Sequence, residues 1–247
     1  MKNFVTFLSI FISVSAFAGT TVVTQVNDLP YEGYYTAPEK GLPLVVILHD
    51  WDGLTDYEIQ RAEMLAEKGY AVMAADVFGQ GIRPTKVEDK RQHTGELYQN
   101  REKLRSLIQA AIEEAGNQGA DISRTVVMGY CFGGAAALEI ARSGANLQGV
   151  ASFHGGLGTP EGQDYSQTNF PVMIFHGSAD TLISLNDLAA LGSELEEAGV
   201  PHELISYGGA PHSFTVFGKP AYHESADQAS WTRFLHFLEV QIPLENE

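Results

Sequence analysis

The sequence is poor in cysteine and in basic residues. Cys131 is the one cysteine among 247 residues, so no disulfide can form within the chain and no cysteine-rich metal site can be built. The 15 lysine and arginine residues face 31 aspartate and glutamate residues, for a formal net charge of −16. Because nucleic acids and anionic membranes are themselves negatively charged, this balance argues against both as main partners.

Extended apolar runs are also missing, except at the amino terminus. Residues 4–17 form an uncharged, mostly apolar run that follows Lys2 and meets the small-residue pattern Ala16-Phe17-Ala18. This order is typical of a secretory signal peptide, and the run is shorter than the roughly 20 residues of a membrane-spanning helix. The alternative is a buried N-terminal helix or strand. We predict a signal peptide at 1–18 and one exported domain at 19–247, periplasmic or secreted, without stable membrane association.

The rest of the composition is typical of a globular protein. Hydrophobic residues make up 44% and charged residues 19% of the chain, which excludes a disordered or fibrous protein. No repeat or linker interrupts the sequence, so we predict a single domain and a monomer.

Short apolar runs alternate with longer amphipathic stretches along the chain. This alternation predicts an α/β fold, with a mainly parallel sheet and helices on both faces. The expected strands are 20–26, 31–36, 44–48, 70–75, 125–128, 150–153, 172–175 and 202–207, with a hairpin turn at 27–30. The expected helices are 56–68, 90–115 with a break near Thr94 and Gly95, 134–142, 185–198 and 221–239.

In such folds the reactive groups lie beyond the carboxyl ends of the strands. There, Gly129-Tyr130-Cys131-Phe132-Gly133 separates a strand from an Ala-rich helix, and it matches the nucleophile elbow with Cys in place of Ser. Gly on both sides of Cys131 relieves the crowding of a tight turn, and the helix N-terminus favours a thiolate. The alternative is a buried structural cysteine.

Two later residues complete a candidate triad. Asp180 follows the strand at 172–175 and His212 follows the strand at 202–207. Nucleophile, acid and histidine follow one another along the chain in the order that is typical of folds with a nucleophile elbow. We expect His212 to accept the thiol proton of Cys131, and Asp180 to orient the ring of His212. The alternatives are a helix cap for Asp180 and an ordinary loop histidine for His212.

The backbone N–H groups of Phe132 and Trp51 are the expected donors to an oxyanion. Three further histidines end strands, but no metal-ligand spacing accompanies them, so we expect them to line or support the pocket rim: His49, His154 and His176. We predict no metal and no organic cofactor.

Five segments together resemble the dienelactone hydrolases of the α/β-hydrolase superfamily: 44–53, 75–79, 129–134, 175–180 and 209–214. The resemblance implies that Cys131, Asp180 and His212 are the triad. Members of the family also carry a carboxylate, Glu in the best-known pattern, that contacts the resting thiol. Asp50 occupies that place with a side chain one methylene shorter, and its implied role is to hold the thiol neutral until substrate displaces it. A helix cap or loop anchor is the alternative.

The chain departs from the family at one substrate-binding position. Members that open dienelactones hold the substrate carboxylate with arginines, one of them four residues after the catalytic histidine, where this chain has Val216. Arg83 and Arg91 are candidates for a second arginine. Together with Val216, three aromatic residues indicate an apolar pocket: Trp51, Phe78 and Tyr130.

These expectations favour an exported hydrolase of small esters or lactones that forms an acyl-cysteine intermediate. An uncharged ester, lactone or thioester fits the sequence as well as a dienelactone does. A thioesterase or acyltransferase on the same triad is the alternative enzyme. A binding protein that keeps the fold with an idle site is the alternative of another class, and the complete triad argues against it.

Overall fold

The computed structural model describes residues 19–244, so the predicted signal peptide at 1–18 lies outside the described residues. Eight strands form one sheet: β1 (Thr20–Val26), β2 (Leu29–Thr36), β3 (Pro43–Leu48), β4 (Ala71–Ala75), β5 (Asp121–Tyr130), β6 (Gly149–Phe153), β7 (Val172–Gly177) and β8 (His202–Tyr207). Their order is β1-β2-β4-β3-β5-β6-β7-β8. The pairs β1–β2 and β2–β4 are antiparallel, and every other pair is parallel. The predicted α/β fold with a mainly parallel sheet is confirmed.

Six helices cover the sheet: α1 (Asp56–Ala66), α2 (Val87–Gln99), α3 (Arg101–Gln118), α4 (Phe132–Arg142), α5 (Leu185–Glu197) and α6 (Glu224–Gln241). Side chains of α1 and α6 pack in one apolar core, and those of α2 to α5 pack in the other. The central strands are buried on both faces, which explains why they are continuous apolar runs without polar alternation. Within the described chain, no helix is both long enough and apolar enough to cross a membrane.

Several predicted element boundaries are wrong by a few residues, and two of these errors have a clear local cause. The hairpin turn is only Asn27-Asp28, with φ of 51° and 62°, so β2 begins at Leu29 rather than at residue 31. The break in the long helical stretch lies at Asn100 rather than near Thr94 and Gly95. The Asn100 side chain accepts a hydrogen bond from a backbone N–H in the first turn of α3, at 3.0 Å, and this cap starts a new helix.

The sheet register brings the chemically reactive segments together. Leu48 at the end of β3 pairs with Gly129 near the end of β5, so Asp50 and Cys131 emerge side by side. Strands β7 and β8 run parallel to them and release Asp180 and the loop of His212 at the same edge. The site therefore lies at the carboxyl edge of the sheet, as expected for this kind of fold.

Candidate active site

Cys131 lies in a strained turn between β5 and α4. Its φ of 50° and ψ of −109° belong to a region that residues with a side chain rarely adopt. The turn is tight, because a Cβ on Gly129 would lie 2.1 Å from the Gly133 carbonyl oxygen, and one on Gly133 would lie 2.1 Å from the Leu48 carbonyl oxygen. Only glycine fits at either position. The turn leaves the Cys131 thiol partly exposed at the start of α4.

The three predicted triad residues are in contact. His212 Nε2 lies 3.2 Å from Cys131 Sγ, and His212 Nδ1 donates to Asp180 Oδ2 at 2.7 Å. The other oxygen of Asp180 accepts from the N–H groups of Leu182 and Ile183, at 2.8 and 3.0 Å. Burial opposes ionisation of Asp180, but these hydrogen bonds and the His212 charge outweigh it and hold the pKa of Asp180 below its usual value. An ionised Asp180 fixes the His212 proton on Nδ1 and leaves Nε2 facing the sulfur.

The Asp50 carboxylate lies against the resting thiol. Burial, followed by the charge of Asp50 and its hydrogen bond with the thiol, raises the pKa of Cys131 well above its usual value. Burial and the nearby Asp52 raise the pKa of Asp50 itself to about 6. At neutral pH the ionised Asp50 therefore opposes formation of the thiolate.

Asp50 also engages one of the predicted oxyanion donors. The Trp51 N–H donates to Asp50 Oδ1 at 2.5 Å, and the Phe132 N–H donates to the sulfur of Cys131. Both N–H groups thus face the space around the thiol. In this state the Asp50 carboxylate occupies the place beside Trp51 where a negatively charged oxygen would be stabilised.

The four predicted pocket residues divide into two groups. Trp51 and Val216 line a cavity of about 500 Å³ that also contacts Asp50, whereas Phe78 is buried against the ring of Phe132 at 5.6 Å. Placing Tyr130 in the pocket was wrong, because its side chain is fully buried in the sheet core. Tyr130 packs in the apolar core that contains α1 and α6, with its ring centroid 4.9 Å from that of Tyr57.

The three strand-end histidines are buried rather than exposed at the pocket rim. His49 is hydrogen-bonded to backbone groups, His154 to the Thr215 hydroxyl, and His176 lies beside Asp180. Between residues 19 and 244, no group of three or more His, Cys, Asp or Glu side chains is arranged to hold a metal ion.

The candidate arginines do not reach the cavity. Arg83 donates to Glu32 at 3.0 Å and lies 3.8 Å from Asp76, so these two carboxylates beside β2 and β4 balance its charge. Arg91 is exposed on α2. Among the described residues that line the cavity, the cations are Lys90 and Lys219.

Sequence reasoning missed Tyr98, which lies on α2 beside the reactive thiol. Its ring centroid is 5.4 Å from that of Phe132, and it is 37% exposed. Burial and the charges of Cys131 and Asp50 raise the pKa of Tyr98 to about 12. No sequence pattern marks Tyr98, because it lies on a helix and not directly after a strand.

Comparisons with known proteins agree with this arrangement. The dienelactone hydrolase family profile matches residues 31–241. A Salmonella typhimurium protein called "putative carboxymethylenebutenolidase" is 25% identical over 89% of this chain and 85% of its own length. The crystal structure of a dienelactone hydrolase-like promiscuous phosphotriesterase from metagenomic libraries is 29% identical, with a TM-score of 0.85 over 92% of this chain and 99% of that one. An esterase from Thermogutta terrifontis, 20% identical with a TM-score of 0.70 over 93% of this chain and 95% of that one, shares the fold.

The contact between Asp50 and the thiol predicts a pH dependence. Replacing Asp50 with Ala or Asn removes a negative charge, so we expect the thiol pKa to fall and the iodoacetamide reaction to quicken at neutral pH. The difference from the parent should persist above pH 6 and shrink below it, because Asp50 with a pKa of about 6 is then protonated. A fall of one pKa unit raises the thiolate fraction about tenfold.

Alkylation rates measured from pH 5 to pH 10 test this prediction. Asp52→Asn is the matched control, since it removes an equal charge that acts on Cys131 without a hydrogen bond to the thiol, and it should move the profile less. Superimposable profiles for the parent and Asp50→Ala would show that Asp50 does not control the thiol.

Proposed function

The chain belongs to the dienelactone hydrolase family, and we propose that it is an exported hydrolase of small esters or lactones that acts through an acyl-cysteine at Cys131. The observation that carries the proposal is the contact of His212 with both partners, 3.2 Å to the sulfur and 2.7 Å to Asp180. A histidine held in this way can take a proton from the thiol and later return it to a leaving group.

In the proposed reaction, the substrate carbonyl displaces the Asp50 carboxylate from the thiol and from the Trp51 N–H. His212 takes the thiol proton as Sγ forms a bond to the carbonyl carbon. The resulting oxyanion accepts hydrogen bonds from Phe132 and Trp51 N–H groups. The carbon–oxygen bond to the leaving group then breaks, and His212 gives the proton to the departing alcohol oxygen.

Hydrolysis of the acyl-cysteine uses the same residues in the reverse order. His212 takes a proton from water, and the hydroxide attacks the thioester carbonyl through a second oxyanion. The carbon–sulfur bond breaks, the carboxylic acid leaves, and the proton returns to Sγ. In a lactone the alcohol remains attached to the acid product, so one ring-opened molecule is released.

Removing the thiol should abolish the reaction. We expect the parent to release a burst of p-nitrophenol from p-nitrophenyl butyrate and to gain one butyryl group on Cys131 by mass. Cys131→Ala and iodoacetamide treatment should remove the burst and lower kcat by about 10⁴-fold or more, because the triad acts as a unit.

The same assay separates the alternatives. Turnover of acyl thioesters without turnover of oxygen esters would favour the thioesterase. Failure of the parent to form an acyl-enzyme with any ester, lactone or thioester would favour a binding protein.

The charges around the cavity support an uncharged substrate. Four carboxyl groups line it, against two cations, Lys90 and Lys219: Asp50, Asp52, Asp56 and Glu58. Lys90 Nζ lies 3.4 Å from Asp52 and 4.9 Å from the Trp51 ring centroid, so its charge is largely balanced by Asp52. Val216 and Phe217 add apolar surface. A substrate carboxylate would meet repulsion here, and we propose that the enzyme prefers neutral esters or lactones.

Two esters of equal chain length test the preference. We expect the parent to cleave p-nitrophenyl hexanoate with a kcat/KM about tenfold or more above that for the p-nitrophenyl monoester of adipic acid. Val216→Arg places a cation in the cavity and should reduce this ratio about tenfold, since a charged hydrogen bond contributes about 1.5–3 kcal/mol. Val216→Gln is the uncharged control and should leave the ratio unchanged. Equal use of both esters by the parent would contradict the proposal.

The sequence of residues 1–18 supports export. A lone thiol outside the cytoplasm is exposed to oxidants, and Asp50 reduces that risk by disfavouring the more easily oxidised thiolate.

After expression of the full chain in a Gram-negative host, we expect periplasmic protein whose first residue is Gly19. Leu8→Arg interrupts the apolar run and should leave the precursor in the cytoplasm. Recovery of uncleaved parent from the cytoplasm, with none in the periplasm, would contradict export.

A further inference from the structure

His49 is a buried histidine whose two ring nitrogens both contact backbone groups. It follows β3 directly and has no exposed surface. Its Nδ1 lies 2.6 Å from the Asp50 carbonyl oxygen, and its Nε2 lies 3.2 Å from the Val77 nitrogen. A backbone N–H can only donate, so Nε2 is the acceptor. The ring proton is therefore on Nδ1, which donates to the Asp50 carbonyl.

The Asp50 carbonyl and the Trp51 N–H belong to one peptide unit. Such a unit is planar, so fixing the direction of the carbonyl also fixes the direction of the N–H. The carbonyl accepts a second bond from the Gly53 N–H, at 3.2 Å. The Trp51 N–H lies in the same plane and points in the opposite direction to the carbonyl. It points to the place beside the thiol that the Asp50 carboxylate now occupies.

The surroundings of His49 keep the ring neutral and in one orientation. Burial lowers the pKa of His49 despite the nearby charge of Asp76. Its ring centroid lies 4.5 Å from that of Phe78, edge to face, and 6.2 Å from that of Phe132. The Asp76 carboxylate, 3.8 Å from Nε2, is held by the N–H groups of Phe78 and Gly79.

We propose that His49 is a positioning residue for the oxyanion site, acting through the peptide between Asp50 and Trp51. Its hydrogen bond aims the Trp51 N–H and, by polarising the peptide, makes that N–H a stronger donor. His49 touches neither the substrate nor the thiol. This inference rests on the proposed function, because an oxyanion forms only if Cys131 attacks a carbonyl group.

Two amide substitutions separate the two hydrogen bonds of His49. In His49→Asn, the amide nitrogen takes the place of Nδ1 and can still donate to the Asp50 carbonyl. In His49→Gln, the amide group takes the place of Nε2, so the acceptor for the Val77 N–H is kept and the donor to Asp50 is lost. Both variants lose the aromatic contacts with Phe78 and Phe132, so those contacts do not contribute to the difference between them. The variants differ in which hydrogen bond is kept, the one to the Asp50 carbonyl in His49→Asn and the one from the Val77 N–H in His49→Gln.

Each variant is measured in two reactions of Cys131. Acylation by p-nitrophenyl butyrate develops an oxyanion, whereas alkylation by iodoacetamide proceeds at a saturated carbon and develops none. We expect the acylation rate constant of His49→Gln to fall about tenfold or more below that of His49→Asn, with alkylation rates within about twofold of each other. Equal acylation rates in the two variants, or a parallel loss of alkylation in His49→Gln, would overturn the role of His49.

The test distinguishes the failure of this inference from that of the proposed function. If the parent is alkylated but forms no acyl-enzyme, both proposals fall. If the parent is acylated and the two variants do not differ, only the role of His49 falls. Should His49→Gln fail to fold, nitrogen NMR of the labelled parent still decides. A proton on Nδ1 is the expected result, and a proton on Nε2 would overturn the proposal.

Discussion

The site depends on one close backbone contact, where the start of α4 lies against the ends of β3 and β5. There is no room for a Cβ at Gly133 beside the Leu48 carbonyl, or at Gly129 beside Gly133. This contact holds Cys131 at a φ of 50°, a strained conformation that the packed sheet and helix stabilise. It also places the Phe132 N–H, the first of α4, against the sulfur, and the end of β3 next to the sulfur. The thiol, one predicted oxyanion donor and Asp50 therefore lie close together.

Opposing electrostatic effects act on the thiol. The Phe132 N–H favours the thiolate, whereas burial and Asp50 oppose it and hold the pKa of Cys131 well above its usual value. The same Asp50 carboxylate accepts the Trp51 N–H and lines the substrate cavity. A ligand that displaces Asp50 therefore frees the thiol and an oxyanion donor in one step. In the resting protein, burial and Asp50 together favour the protonated thiol.

The sequence predicts those parts of the molecule that depend on local patterning. Buried parallel strands are apolar runs, and the fold brings their carboxyl ends to one edge, so the meeting of Cys131, Asp180 and His212 followed from their positions after strands. The burial of Tyr130 and the break at Asn100 did not follow, because they depend on tertiary packing and on a single capping hydrogen bond. Tyr98 packs from α2 against Phe132, the residue after Cys131, through a tertiary contact that no spacing along the chain encodes.

Two neutral histidines, His49 and His154, support the site from opposite sides. The sequence predicted that both line or support the pocket rim, but it did not indicate which groups each ring contacts. His49 holds the peptide that carries the Trp51 N–H. His154 Nε2 lies 2.8 Å from the Thr215 hydroxyl, three residues after His212, and its ring centroid is 5.4 Å from that of His212.

Thr215 also contacts α1. The Thr215 hydroxyl accepts a hydrogen bond from the Tyr57 hydroxyl at 2.7 Å, and the Thr215 carbonyl accepts one from the buried Arg61 at 2.9 Å. The Thr215 hydroxyl proton is therefore directed at His154. Burial lowers the pKa of both His49 and His154, so neither gains a charge at neutral pH. The two rings thus contact the peptide between Asp50 and Trp51 and the loop of His212 without changing charge near neutral pH.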